Sequence, residues 1–237
     1  MNLFFKKIST LILMLSLSLG FTACDNQGEV KAKSDNKPKN EETYSKELLK
    51  YFPSVEGMVL KYSGTAEYSH SLTLNKIMNK QNSVILDLKG EIHDVSDGEG
   101  SSKEDLIMET QYIVNKNSVK EIQKNVKRRY SQSIVREQTV LKFPIKEGNI
   151  WSESVEIDNK QYTATTKIVE ISKDNQNKNI VKTEMVVKEI KPYPENTYKE
   201  IKIFKEGKGL AEFQNLILQK KEPLEFRYKL FEEENKQ

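Results

Sequence analysis

Beyond residue 55 the chain sets apolar side chains at every second position, and that period limits what it can fold into. Val84, Leu86 and Leu88 alternate with Ile85, Asp87 and Lys89, and Leu224, Phe226, Tyr228 and Leu230 alternate with Glu225, Arg227 and Lys229. Val181, Thr183, Met185 and Val187 share one face. Successive side chains of a strand point to opposite faces, so the pattern describes antiparallel strands packed on one face and wet on the other. Asp97-Gly98, Asp158-Asn159, Asn175-Gln176-Asn177 and Gly207-Lys208-Gly209 punctuate the runs as turns. About twelve strands result. They do not alternate with long helical patterns, which argues against a parallel α/β domain. The best helical stretch of the soluble part is residues 43–52, where Leu48, Leu49 and Phe52 share a face and Pro53 ends the helix.

One segment occurs twice. FPSVEG begins at Phe52 and FPIKEG at Phe143, so Phe52, Pro53 and Gly57 match Phe143, Pro144 and Gly148. Leu60 and Trp151 each follow their glycine by three residues, and Lys76-Ile77 falls at the offset of Lys167-Ile168. Proline fixes φ and removes a ladder donor, and glycine supplies the turn, so each copy reads as an ordered entry into a hairpin. The large apolar residue that follows starts a strand and plugs the core. An internal duplication over 52–100 and 143–190 gives two β-meanders, either fused into one curved sheet or facing as a sandwich. The FPxxxG openings, with Trp151 and the late TYKEIKIFKEGKGLAEF containing Gly207 and Gly209, resemble a group of clostridial and bacillar lipoproteins of unknown function. Leu60 stands where Trp is common in that group. The resemblance implies an extracytoplasmic β-rich domain and transfers no catalytic residue.

The first 24 residues agree with that resemblance. Lys6 and Lys7 precede an uncharged, Leu-rich run from Ile8 to Phe21, and Thr22-Ala23-Cys24 follows. This is the anatomy of an export signal. The run of about 14 residues falls short of the ~20 needed to cross a bilayer as a helix. A cysteine at its end resembles the lipobox of bacterial lipoproteins, in which diacylglycerol is attached to the thiol and the signal is removed just before it. Phe21 stands where that family usually has Leu, Val or Ile. Cys24 is the only cysteine, so no intramolecular disulfide staples the fold. Two acyl chains give stable anchoring where one holds marginally. Residues 1–23 therefore read as a lipoprotein signal peptide. Residues 24–43 read as a lipidated tether whose polar and charged composition cannot repay ordering.

Removing residues 1–23 takes away two lysines and no acid, leaving 36 basic and 35 acidic residues. That balance gives no electrostatic case for nucleic acid. Lys127-Arg128-Arg129 is the densest basic cluster and reads as a solvated turn. His93 and Asp94 open the acidic stretch HDVSDGEGSSKED, but His93 and Val95 occupy the positions where an EF-hand frame needs oxygen ligands. The stretch reads as a loop, and no metal or cofactor is expected. His70 is the second histidine of the chain, and no nucleophile elbow or zinc-protease motif is present. The third and least favoured reading of function is an envelope hydrolase using carboxylates such as Glu56, Glu67 or Glu147. Tyr62, Tyr68, Tyr112, Tyr130, Tyr162, Tyr193, Tyr198 and Tyr228 lie in or beside strands and read first as packing.

The expected architecture is one antiparallel β domain over 44–237. Its sheet is curved or a half-barrel, similar to the lipoprotein-carrier fold, with one short N-terminal helix. The expected function is non-enzymatic: a lipoprotein on the outer face of the cell membrane that docks an envelope protein or glycan. A carrier of a lipid or other apolar molecule in a concave pocket is the alternative.

Overall fold

A short loop joins the two edges of a wide sheet, and this forces the sheet to curl. The structure, a computed structural model, describes residues 43–93, 102–125, 133–218 and 223–231. The first six strands are β1 (Val59–Gly64), β2 (Ser69–Lys80), β3 (Ser83–His93), β4 (Ile107–Val114), β5 (Ser118–Gln123) and β6 (Glu137–Lys142). The second six are β7 (Ile150–Ile157), β8 (Lys160–Lys173), β9 (Asn179–Lys188), β10 (Thr197–Lys205), β11 (Gly209–Leu218) and β12 (Pro223–Leu230). All form one antiparallel sheet in the order β6-β5-β4-β3-β2-β1-β12-β11-β10-β9-β8-β7. Each half is a meander, and β1 pairs with β12 through Tyr62 opposite Leu230. At about 4.8 Å per strand a flat sheet would hold its edges ~50 Å apart. Residues 143–149, which link β6 to β7, reach under ~30 Å when fully extended. The edges therefore come together, and the expected curved sheet is a nearly closed one.

Side chains take the place of a ladder at that seam. The Glu153 carboxylate of β7 accepts from the Thr139 amide of β6 at 2.6 Å and from its hydroxyl at 3.0 Å. The Trp151 indole N–H donates to the Thr139 carbonyl at 3.1 Å. Thr139, in register with Lys120 of β5 on its other side, thus has its donor and acceptor satisfied by side chains where β6 faces β7.

The meanders put alternate connections at opposite ends. The near end carries the turns β2–β3, β4–β5, β6–β7, β8–β9 and β10–β11, and the chain enters there. Helix α1 (Lys46–Leu49) is capped by Ser45, whose Oγ accepts from the Leu48 amide at 3.1 Å. The Ser45 amide donates to Asn115 O at 3.1 Å, and Gly207 and Gly209 donate to Lys50 O and Tyr51 O at 2.8 and 2.7 Å. The segment thereby ties the β4–β5 turn to the β10–β11 turn. It buries Leu48, Tyr51 and Phe52, with the Phe52 ring 4.7 Å from Tyr112 and 6.0 Å from Phe204. A second one-turn helix, α2 (Lys103–Leu106), lies in the stretch expected to be a loop. A capping box between Ser102 and Asp105 holds it.

The two FPxxxG segments make the same turn. Gly57 (φ +84°) donates to Leu74 O at 2.8 Å, and Gly148 (φ +83°) donates to Ile168 O at 2.9 Å. Each acceptor precedes a β-bulge, between Leu74 and Lys76 in β2 and between Ile168 and Glu170 in β8. The structural counterpart of Ile168 is therefore Leu74 rather than Ile77. Leu60 and Trp151 are both buried, whereas Phe52 is buried and Phe143 exposed. The expected signal peptide, Cys24 and the expected tether up to residue 42 lie outside the described residues, as do Asp97-Gly98, Tyr130 and Lys127-Arg128-Arg129.

Candidate functional site

The interior is polar at its centre. On β10 the inward positions are Tyr198, Glu200, Lys202 and Phe204, and on β5 they are Val119, Glu121 and Gln123. Lys202 Nζ lies 2.7 Å from Glu121 and 3.1 Å from Glu200, joining the two meanders across the interior. Each carboxylate takes two further donors. Tyr112 O–H and Gln123 Nε2 donate to Glu121 at 3.1 and 3.3 Å. Gln138 Nε2 and Tyr198 O–H donate to Glu200, both at 2.8 Å. Burial pulls the Lys202 ammonium down, but the two carboxylates outweigh it and hold it above the usual lysine value. Burial, reinforced by Glu121, pushes the phenols of Tyr62 and Tyr112 well up, and burial, reinforced by Glu200, does the same at Tyr198.

This centre is filled. The void beside Thr110, Tyr112, Glu121, Gln123 and Lys202 is about 10 Å³, room for roughly one water. Tyr62, Tyr68, Tyr112, Tyr198 and Tyr228 are buried as packing. His70 is packed among them, stacked on Tyr62 at 4.3 Å and met edge-on by Tyr228 at 4.8 Å. The void at this polar centre is far below ligand size.

Clefts open instead at the two ends. The far-end cleft, of about 490 Å³, lies among the β5–β6, β7–β8 and β9–β10 connections. Gln123, Arg136, Glu156, Asp158, Asn159 and Tyr193 present charges of both signs, amides and a phenol there. The Tyr193 ring is held edge-on against buried Tyr198 at 5.1 Å. Burial, with Asp158 and Glu200 adding to it, raises the Tyr193 phenol.

The ends differ in turn chemistry. Where a near-end connection needs positive φ it uses Gly57, Gly148, Gly207 or Gly209, with Asn177 the exception. The described far-end connections use Ala66, Glu67, Asp158, Asn159, Glu189, Glu195 and Asn196. Asn and Asp tolerate this region, but for Ala and Glu it costs about 1–2 kcal/mol each. Such strain gathers where side chains serve a site.

The sequence-picked residues fall mainly at the near end. Phe52-Pro53 meets Gly209, whose added Cβ would sit 3.5 Å from Pro53 and 3.6 Å from Phe52. Glu56 accepts from the Ile77 amide at 2.7 Å. Glu56 and Glu147 sit in the two FPxxxG turns and Glu67 at the far end, so the three carboxylates do not converge. His93 ends β3 and shares a 3.4 Å hydrogen bond with Ser69. Sequence reasoning missed Glu121, Glu200 and Lys202. The available signal was period-two spacing, of Glu200 and Lys202 with Tyr198 and Phe204 and of Glu121 with Val119 and Gln123.

No protein-family model matches the chain, and no curated protein matches it. Two solved structures are similar in chain path. One is a protein of Bacteroides fragilis described as exported and as having a YmcC-like fold: TM-score 0.45, 10% identity, 76% of this chain and 96% of that chain covered. The other is a protein of Parabacteroides distasonis described as a lipoprotein: TM-score 0.40, 10% identity, with the same coverages of 76% and 96%.

Proposed function

We propose that this chain is a lipoprotein anchored through Cys24 at the outer face of the cell membrane. It acts without catalysis, as a docking module whose partner, an envelope protein or glycan, engages the far-end cleft. The observation that carries the reading is the turn chemistry. Asp158 and Asn159 line the cleft at positive φ, and Ala66, Glu67, Glu189 and Glu195, outside its lining, hold the same backbone region, where glycine is cheaper, in other connections of that end. A filled interior supports docking over carriage, because the described void has room for a water and not for a lipid. The balanced charges of Arg136 and Lys191 against Glu156 and Asp158 suit a polar partner better than a polyanion.

The test is a pull-down from solubilised membranes with the wild-type chain and with Arg136→Ala and Tyr193→Ala. A partner retained by the wild type and lost by both variants is expected. The same partner retained undiminished by both variants would remove the cleft from the account. Separately, Cys24→Ser should move the protein from membrane to medium.

A further inference from the structure

The near end has a surface of a different kind. Of the eight large apolar side chains that stand exposed among the described residues, Val55, Val59, Phe143, Ile150, Ile171 and Phe231 lie at this end. A second cleft of about 490 Å³ opens between β1, the end of β12 and the β8–β9 and β10–β11 turns. Among the described residues Lys61, Lys178, Lys205 and Lys208 line it against one carboxylate, Glu206, and Lys205 is already paired with Asp174 at 2.9 Å. Val59 and Phe231, 52% and 59% exposed, stand among these lysines. The Asn179 amide, with Lys50 and Lys178 nearby, holds the Glu206 carboxyl below its usual value.

We propose that the near-end cleft docks on an anionic lipid surface, with Phe231 and Val59 entering the headgroup layer and Lys61, Lys178 and Lys208 meeting lipid phosphates. A polyanion needs the lysines but has no use for the exposed rings and methyls between them. A bilayer interface takes both, and long lysine stems bury their methylenes while the ammonium stays at phosphate level. Chain entry points the same way: the Ser45 amide is fixed to Asn115 at this end, so the segment leading back to Cys24 leaves from here. Docking in this pose turns the opposite cleft away from the lipid. The proposal does not depend on what that cleft binds.

The experiment uses residues 24–237 carrying Cys24→Ser, so that neither an acyl anchor nor the apolar leader contributes, with phosphatidylcholine vesicles with and without phosphatidylglycerol. Binding is expected only with phosphatidylglycerol, falling about fivefold for each of Lys61→Gln, Lys178→Gln and Lys208→Gln. Phe231→Ser should weaken it further. Phe231→Trp should give emission that shifts to the blue on anionic vesicles and is quenched by brominated acyl chains. Circular dichroism of each variant separates loss of binding from loss of fold. No binding to anionic vesicles overturns the proposal. So does equal retention on polyphosphate with Phe231→Ser silent, which makes the cleft a polymer site. Arg136→Ala at the far end should leave vesicle binding unchanged, so failure here is distinct from failure of the docking function.

Discussion

Replacing Lys202 by methionine tests the interior most sharply. The ammonium is 2.7 Å from Glu121 and 3.1 Å from Glu200, and the three side chains are 4%, 3% and 1% exposed. Methionine preserves much of the volume and removes the charge that lets two carboxylates share one small space. Breaking a buried pair by removing one partner costs about 3–5 kcal/mol. In a domain of this size each kcal/mol moves Tm by about 2–4 °C, so a fall of about 6–20 °C is expected in a thermal melt. Lys202→Met combined with Glu121→Gln and Glu200→Gln removes all three charges and keeps acceptors for Tyr112 and Tyr198. It should recover most of the loss. A Lys202→Met fall under about 3 °C, or no recovery in the triple variant, would refute the view that this network holds the meanders together.

Four other outcomes are expected. Glu153→Ala removes both side-chain bonds to Thr139 and should cost about 1.5–3 kcal/mol, with hydrogen-exchange protection lost first at the Thr139 amide. Gly57→Ala and Gly148→Ala, where an added Cβ meets nothing within 4 Å, isolate the backbone cost of positive φ. Each should lose about 1–2 kcal/mol in urea denaturation, whereas Ala66→Gly and Glu195→Gly should gain up to about 1 kcal/mol, the relief of positive φ being partly offset by the entropy of glycine in the unfolded chain. Stability should fall at alkaline pH: Lys202 and the phenols of Tyr62, Tyr112 and Tyr198 hold their protons more tightly folded than unfolded. Their contribution is complete below about pH 10 and is lost as pH rises through the folded values, so tyrosinate absorbance from them should appear with unfolding. Phe52→Ala should cost about 3–5 kcal/mol by opening the packing with Tyr112 and Phe204.

The strands were readable because their inward residues are mostly apolar and regularly spaced, as at Val84, Leu86 and Leu88 or Val181 and Val187. The FPxxxG turns were readable because proline and glycine each do one local thing. Sheet closure was not, since Trp151 and Glu153 act on Thr139 across a seam that no local pattern announces. The interior network ran against the usual signal. In TYKEIKIFK the isoleucines invite the core, yet Ile201 and Ile203 are half-buried on the outer face while Glu200 and Lys202 point inward. A strand with apolar residues on both faces has two credible orientations, and only its partners across the interior choose between them. The far-end cleft was hidden for a related reason. Its residues come mainly from three connections far apart in the chain, and the strained turns at that end, such as positive φ at Ala66 or Glu195, are a property of the folded backbone, not of alanine or glutamate.

The most direct test of a far-end docking surface is photo-crosslinking in intact cells, with a photoreactive residue placed once at Tyr193 and once at Phe231. The account predicts a discrete envelope adduct from Tyr193 and lipid adducts from Phe231. A discrete envelope adduct from Phe231, with none from Tyr193, would contradict it.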